Sequence, residues 1–189
     1  MSKFLTGKEL EEAIYDIIWD AKQKLLIVSP YIKLDDYFKK LFDKHENNPN
    51  IHLMLVFGKN ETEVRKSMNK EDFEYFQKFP NVTIIHVPHL HAKYYGNEYS
   101  GMITSINLYD YSFLNNIEFG VYNSSSEKSF FSISSSTADD AAWDRCIDIA
   151  KESNVVFIKR PVYDVKRGIL KTSKNYITSK VLHDSTEYY

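Results

Sequence analysis

The sequence predicts an α/β fold, a mixed β-sheet flanked by helices on both faces. Three observations carry this. Strand-like and helix-like segments alternate three times between Leu10 and Val87, the pattern of an α/β domain whose sheet is mainly parallel. The strand-like runs are continuously apolar, as strands covered on both sides are. After Pro88 come three short strand-like pieces with short connections, which append hairpins to the same sheet.

The elements follow in order. Thr6 reads as a helix N-cap with Glu9 as its capping-box partner. Leu10, Ala13, Ile14, Ile17, Ile18 and Ala21 then recur at helical spacing. Lys24 to Ile32 is a buried strand, and Leu34 to Lys44 a helix with Tyr37, Phe38, Leu41 and Phe42 on one side. His45 to Asn50 is a polar loop. Ile51 to Phe57 is a strand closed by Gly58, Glu61 to Phe79 a helix broken at Pro80, and Val82 to Val87 a strand ended by Pro88. The three later strand-like pieces are His91 to Gly96, Gly101 to Ile106 and Ile117 to Tyr122. A serine-rich loop, Asn123 to Ser136, leads to a helix over Thr137 to Ser153, whose acidic first turn suits the helix dipole. Val155 to Ile158 is a last strand.

Composition narrows the function classes. The 189 residues suit one domain with a short extra arm. The single cysteine, Cys146, excludes a disulfide framework and a multi-cysteine zinc site, and fits a reducing cytoplasm. No apolar run of signal-peptide type stands near Met1, and no stretch approaches the ~20 apolar residues of a membrane span. A cytoplasmic location without membrane contact is therefore expected. The net charge of −2 hides a segregation: Lys159 to Lys180 carries seven cations against Asp164, a local +6, so the rest of the chain carries −8. With Tyr163 and Tyr176 interleaved, that segment reads as a phosphate-contacting arm or as a solvated tail.

The chemistry-bearing stretch is His91-Ala92-Lys93, then Ser105-Ile106-Asn107, then Glu118. Residues at i and i+2 of a strand share a face, and adjacent strands lie ~4.8 Å apart. On strands, these five side chains converge. A neutral imidazole is a nucleophile and a protonated one a general acid. Lysine and asparagine supply donors to phosphate oxygens where charge builds up. A buried Glu118 paired with the far nitrogen of His91 would fix its tautomer. His89, two residues before His91, and Tyr31, at the C-terminal end of the first apolar strand beside Ser29, are the candidate substrate contacts. A zinc reading of His86, His89 and His91 meets Pro88 within the run and no matching carboxylate pair. No metal or other cofactor is expected.

His91-x-Lys93, Ser105-x-Asn107 and Glu118 resemble the HxK…GSxN…E signature of the phospholipase D superfamily, most nearly its single-motif bacterial nuclease branch, which includes metal-independent restriction endonucleases. Thr104 stands at the glycine of that pattern and Glu98 at its usual Asp. The resemblance spans residues 5–160 and implies a phospholipase D-like catalytic domain over 1–160, with 161–189 as a basic C-terminal arm. The other histidine tripeptides lack the lysine. Since two-motif members build one site from two HxK segments, the resemblance implies that two chains share a site across a two-fold axis. One His91 attacks phosphorus and forms a phosphohistidine, and the partner's His91 protonates the leaving oxygen and then activates water. Both copies of Lys93 and Asn107 hold the phosphoryl group, and Ser105 and Glu118 complete the site.

The expectation is thus a metal-independent phosphodiesterase, an endonuclease on DNA, active as a homodimer. Site-specific restriction would require a partner protein for sequence recognition. Two alternatives stand beside it: a phospholipid or small-phosphodiester hydrolase of the same superfamily, and a non-catalytic nucleic-acid-binding module.

Overall fold

The computed structural model describes residues 2–109, 116–124, 137–167 and 172–188. Its centre is a mixed nine-stranded sheet in the order β1-β9-β7-β6-β2-β4-β5-β10-β11. These strands are β1 (Ser2–Thr6), β2 (Lys24–Ser29), β4 (His52–Phe57), β5 (Val82–His86), β6 (Tyr94–Asn97), β7 (Ser100–Thr104), β9 (Phe119–Ser124), β10 (Asn154–Arg167) and β11 (Thr172–Asp184). A separate parallel pair joins β3 (Ile32–Lys33) to β8 (Leu108–Tyr109). The helices are α1 (Gly7–Asp20), α2 (Asp36–Asp43), α3 (Lys70–Gln77) and α4 (Ala138–Lys151).

Alternation along the central strands divides the core in two. Leu25 and Ile27 of β2, with Leu53 and Leu55 of β4, face Ile14, Ile17, Phe38, Phe42 and Phe76 of the first three helices. Leu26, Val28, Val56 and Ile85 face the other way, against Cys146, Ala150 and Trp143 of α4. This period-2 split of a fully apolar run is why the sheet needs helices on both faces. Each fully buried Leu, Ile or Phe contributes about 1.5–3 kcal/mol.

Several expectations are corrected. The sheet is not mainly parallel: only β2–β4 and β4–β5 pair in parallel, while β1–β9, β9–β7, β7–β6, β6–β2, β5–β10 and β10–β11 are antiparallel. The edge strand β1 is absent from the sequence reading, because five residues with one half-buried side chain carry no apolar signal. Thr6 precedes α1 but makes no cap; its hydroxyl donates to the Glu118 carbonyl instead (2.8 Å). The helix expected over 61–79 is a 3-10 turn at Val64–Lys66 followed by α3, whose N-cap is Asn69. At α4, Thr137 and Asp140 form a complete capping box. Of the serine-rich stretch only 123–124 are described, and Lys171 also lies outside the described residues.

The basic segment forms a β-hairpin continuous with the sheet. β10 runs on past residue 160 without a break, and β11 returns along it from Thr172 to Asp184. Two of its cations are used inside the fold. Lys159 Nζ donates to the carbonyls of Gln77 and Lys78, and Arg160 donates to Val82 O and Thr83 Oγ1. Tyr163 and Tyr176 pair ring to ring across the hairpin (6.1 Å).

Candidate active site

The residues singled out by the sequence gather at one rim of the sheet. β2, β4 and β5 end there, β6 and β9 start there, and β7 ends there, as the pairings Val28–Tyr94, Tyr94–Ile103 and Thr104–Gly120 require. The C-terminal edge of parallel strands is where open α/β sheets hold ligands.

His91 and Lys93 sit on the loop between β5 and β6, not on a strand. Buried Leu90 anchors that loop in the α4-side core, and His89 takes a left-handed backbone (φ 63°). His91 is left exposed. The pair therefore does not meet by strand alternation; instead Lys93 Nζ folds back to donate to the His91 carbonyl (3.0 Å). Lys93 and Lys59 hold the His91 pKa below its ordinary 6.5, Lys93 acting more strongly, so the ring is neutral at pH 7. Partial burial, with a smaller push from Lys59, lowers the Lys93 pKa, and Glu118 opposes this.

Ser105 and Asn107 likewise lie beyond the end of β7. Thr104 N–H donates to the Lys93 carbonyl (3.3 Å), and Ser105 N–H to the Phe119 carbonyl (3.0 Å). The Ser105 hydroxyl donates to the Glu118 carboxylate, whose other oxygen accepts from Asn116 Nδ2 (3.2 Å). Glu118 thus serves Ser105 rather than the far nitrogen of His91, contrary to the expectation. Among the described residues the His91 ring has no hydrogen bond. Asn107 is half-buried, and its Oδ1 has no hydrogen-bond partner among the described residues. An orphan buried acceptor costs about 1–3 kcal/mol, a local penalty that functional sites retain.

Ser29 ties these loops to the sheet. Its hydroxyl donates to the Tyr31 carbonyl (2.7 Å) and accepts from Leu108 N–H (3.0 Å), while Tyr95 OH donates to the Ile106 carbonyl (3.2 Å). Tyr31 stands half-buried at the rim. His89 is turned to Glu61, its Nε2 2.8 Å from the carboxylate. His86 packs against Phe57, so the three histidines of the zinc reading have three different surroundings. No group of three His, Cys, Asp or Glu is placed to hold a metal among the described residues. Glu98, at the position of the pattern's Asp, accepts from the backbone N–H groups of Lys22, Gln23 and Lys24 (2.7, 3.2 and 3.0 Å). It braces the turn from α1 into β2.

Lys59 is the residue the sequence reading missed. It follows Gly58 at the C-terminal end of β4, the place in that strand that Ser29-Pro30-Tyr31 occupies in β2. The rule that selected Tyr31 would have selected Lys59 as well.

The structure is similar to NucT from Helicobacter pylori, with a TM-score of 0.59 and 14% identity over 82% of this chain and 98% of that one. It is equally similar to Nuc from Salmonella typhimurium, a phospholipase D family member (TM-score 0.58, 12% identity, 82% and 98% covered). The chain has the phospholipase D fold. The same phospholipase D fold relates it to a phosphatidylserine synthase from Haemophilus influenzae (TM-score 0.53, 13% identity), matching 82% of this chain and 39% of that one. TrmBL2, an archaeal chromatin protein whose structure shows a novel mode of DNA binding, is similar over 82% of this chain and 54% of its own (TM-score 0.53, 8% identity). No family model and no curated protein sequence matches the chain. No helix among the described residues is long and apolar enough to cross a membrane.

Proposed function

We propose that the protein is a metal-independent phosphodiesterase, a nuclease acting on DNA through a phosphohistidine in a site completed by a second subunit. One observation carries the reading: on a phospholipase D fold, His91, Lys93, Ser105, Asn107 and Glu118 stand on three neighbouring loops of one rim, with His91 kept neutral by lysines. A neutral, exposed imidazole is a competent nucleophile toward phosphorus. Lys93 and Asn107 supply donors for the equatorial oxygens of the transition state. Bond formation from the His91 nitrogen to phosphorus breaks the P–O bond of the leaving alcohol, which takes a proton from the partner subunit's His91, the reactive form being the one in which that ring carries the proton and the attacking ring does not. That ring then takes a proton from water, whose oxygen displaces the first histidine.

The surface beside the site supports a second copy as the missing half. Phe4, Val121 and Ile103 stand opposite one another across β1, β9 and β7 and are all exposed. Phe119 stacks on Phe4 (5.8 Å), and Ile117 is 97% exposed. An apolar row of this kind supports a contact with another chain there. It adjoins Ser105 and Glu118, so an isologous contact over it brings two such sites together.

A second reading, a nucleic-acid-binding module without catalysis, is favoured by the absence of an orienting partner for His91 among the described residues. The readings separate on plasmid, single-stranded DNA, RNA and phosphatidylcholine vesicles incubated in EDTA. Nucleic-acid cleavage that survives EDTA and disappears in His91→Ala supports the nuclease. Salt-sensitive DNA retention without cleavage supports the module, and vesicle hydrolysis alone supports a lipid substrate. Sedimentation showing only monomer at micromolar concentration would refute the shared site.

A further inference from the structure

The segment Gly58-Lys59 is built into the site more firmly than an exposed lysine requires. Gly58 has φ +123°, and a Cβ there would come within 2.5 Å of the His86 ring and 2.8 Å of the Val87 carbonyl, so only glycine fits. Its N–H donates to the Pro30 carbonyl (3.3 Å), which joins it to the end of β2 just before Tyr31. Lys59 N–H donates to Ser67 Oγ (3.3 Å), and its carbonyl accepts from His89 N–H (3.3 Å). The lysine is thus fastened to the Tyr31 strand end, to the turn before α3 and to the HxK loop itself.

Its side chain is exposed and makes no ion pair among the described residues. The Nζ lies 5.9 Å from the centre of the Tyr31 ring. Its charge is felt by both His91 and Lys93. Beside the reacting histidine there is therefore a second cation on a fixed backbone, with an aromatic face under it. A phosphate alone would need only the cation. A cation above an aromatic ring matches a nucleotide: its phosphate draws the Nζ off the ring and the base takes that face, since bases stack on aromatic rings irrespective of sequence. A duplex keeps its bases stacked on one another, so the ring favours a single strand.

We propose that Lys59 and Tyr31 form a second binding position of the site, taking the phosphate and base of the nucleotide next to the scissile bond in single-stranded nucleic acid. This rests on the nuclease reading for its substrate, but its binding part can be tested apart from cleavage. Lys59→Ala and Tyr31→Leu are compared with wild type across a pH profile, each at its own optimum, because removing Lys59 also shifts His91. The substrates are a labelled single-stranded oligonucleotide and bis(p-nitrophenyl) phosphate, which has neither a flanking phosphate nor a base.

The loss in kcat/KM on the oligonucleotide is expected to exceed the loss on the small diester at least tenfold in each variant. Equal losses on both substrates, or oligonucleotide cleavage within twofold of wild type, would overturn the proposal while leaving the nuclease reading intact. Binding of the same oligonucleotide is measured by anisotropy in the His91→Ala background. Lys59→Ala should weaken it and lower the slope of log K against log salt by about 0.7, the share of one single-strand phosphate. If wild type cleaves neither substrate, the nuclease reading falls. The anisotropy then decides the binding position alone: unchanged affinity in both variants overturns it, and weakened affinity upholds it.

Discussion

Gly58→Ala tests the physical basis of the site most directly. The residue has φ +123°, well outside the left-handed well that other residues sometimes visit, so an alanine there costs about 1–3 kcal/mol in backbone strain. Its Cβ would stand 2.5 Å from His86 Cδ2 and 2.8 Å from Nε2, about 1 Å inside ordinary contact. The ring cannot swing away freely: His86 is 2% exposed and packs against Phe57 at 5.4 Å. Overpacking of this kind costs a further ~1–3 kcal/mol. Together the variant should lose about 2–6 kcal/mol. At roughly 2–4 °C per kcal/mol for a chain of this size, the melting temperature should fall by about 4–24 °C. Urea unfolding monitored by Trp fluorescence gives the free energy, and a thermal scan gives the midpoint. A loss below ~0.5 kcal/mol would refute the reasoning, because surface substitutions away from special features already span that range.

Glu98→Gln should lower stability by about 1–3 kcal/mol, since a charged acceptor of three N–H groups becomes neutral, while activity of the folded variant stays within about threefold; total loss of activity in a folded protein would refute this purely structural role. The His91 ring should titrate below 6.5 by NMR, and its pKa should rise in Lys93→Ala and, by less, in Lys59→Ala; no movement in either would remove the lysines as the cause. Burial, aided by Arg160, lowers the His52 pKa to about 4. The unfolded chain therefore binds that proton at higher pH than the native one, so this contribution is complete above about pH 6.5 and is lost as pH falls to about 4. It amounts to at most about 3 kcal/mol. Urea midpoints at pH 7 and pH 4.5 should differ less in His52→Gln than in wild type; an equal difference would assign the effect to His45 and His86, whose pKa values burial also lowers.

The elements legible in the sequence are those whose side chains are buried whatever the register. β2, β4 and β5 read as strands because Leu25 to Val28, Leu55 to Phe57 and Val82 to Ile85 are covered on both faces. The type of each site residue was legible for the same reason the resemblance was: the spacing of His91, Lys93, Ser105, Asn107 and Glu118 is a pattern in one dimension. Their geometry was not. Strand alternation was the available rule, yet all five lie on loops, where hydrogen bonds such as Ser105 to Glu118 and Lys93 to the His91 carbonyl set direction. The Thr6 cap failed similarly, since its side chain is spent on a backbone group 112 residues away. Lys59 was legible by its place just after a predicted strand, and the parallel pairing of β2 with β4 sets it level with Tyr31.

The basic hairpin has to be weighed by where it points. Asn154 pairs with His86 at the site end of β5, and Lys159 with Val82 at the other end. β10 therefore leaves the site rim and carries its cations away from it. Lys180 stands opposite Arg160, and Lys174 opposite Val165. At ~3.3 Å per residue those positions are about 20 Å and 36 Å beyond Asn154. A dinucleotide, even unstacked at about twice the ~3.4 Å duplex rise per nucleotide, covers about 14 Å, too little to touch both the site and either lysine. Lys174→Ala with Lys180→Ala should therefore change dinucleotide cleavage less than twofold. On a 30-nucleotide strand the same variant should bind with a shallower salt dependence, by about 0.7 for each phosphate the lysines no longer hold. A tenfold loss on the dinucleotide would mean that the hairpin reaches a site after all, which in a two-fold assembly can only be the partner's. An unchanged salt slope on the long strand would remove the hairpin from nucleic-acid binding and leave the grip on substrate to Lys59, Lys93 and Tyr31 at the rim.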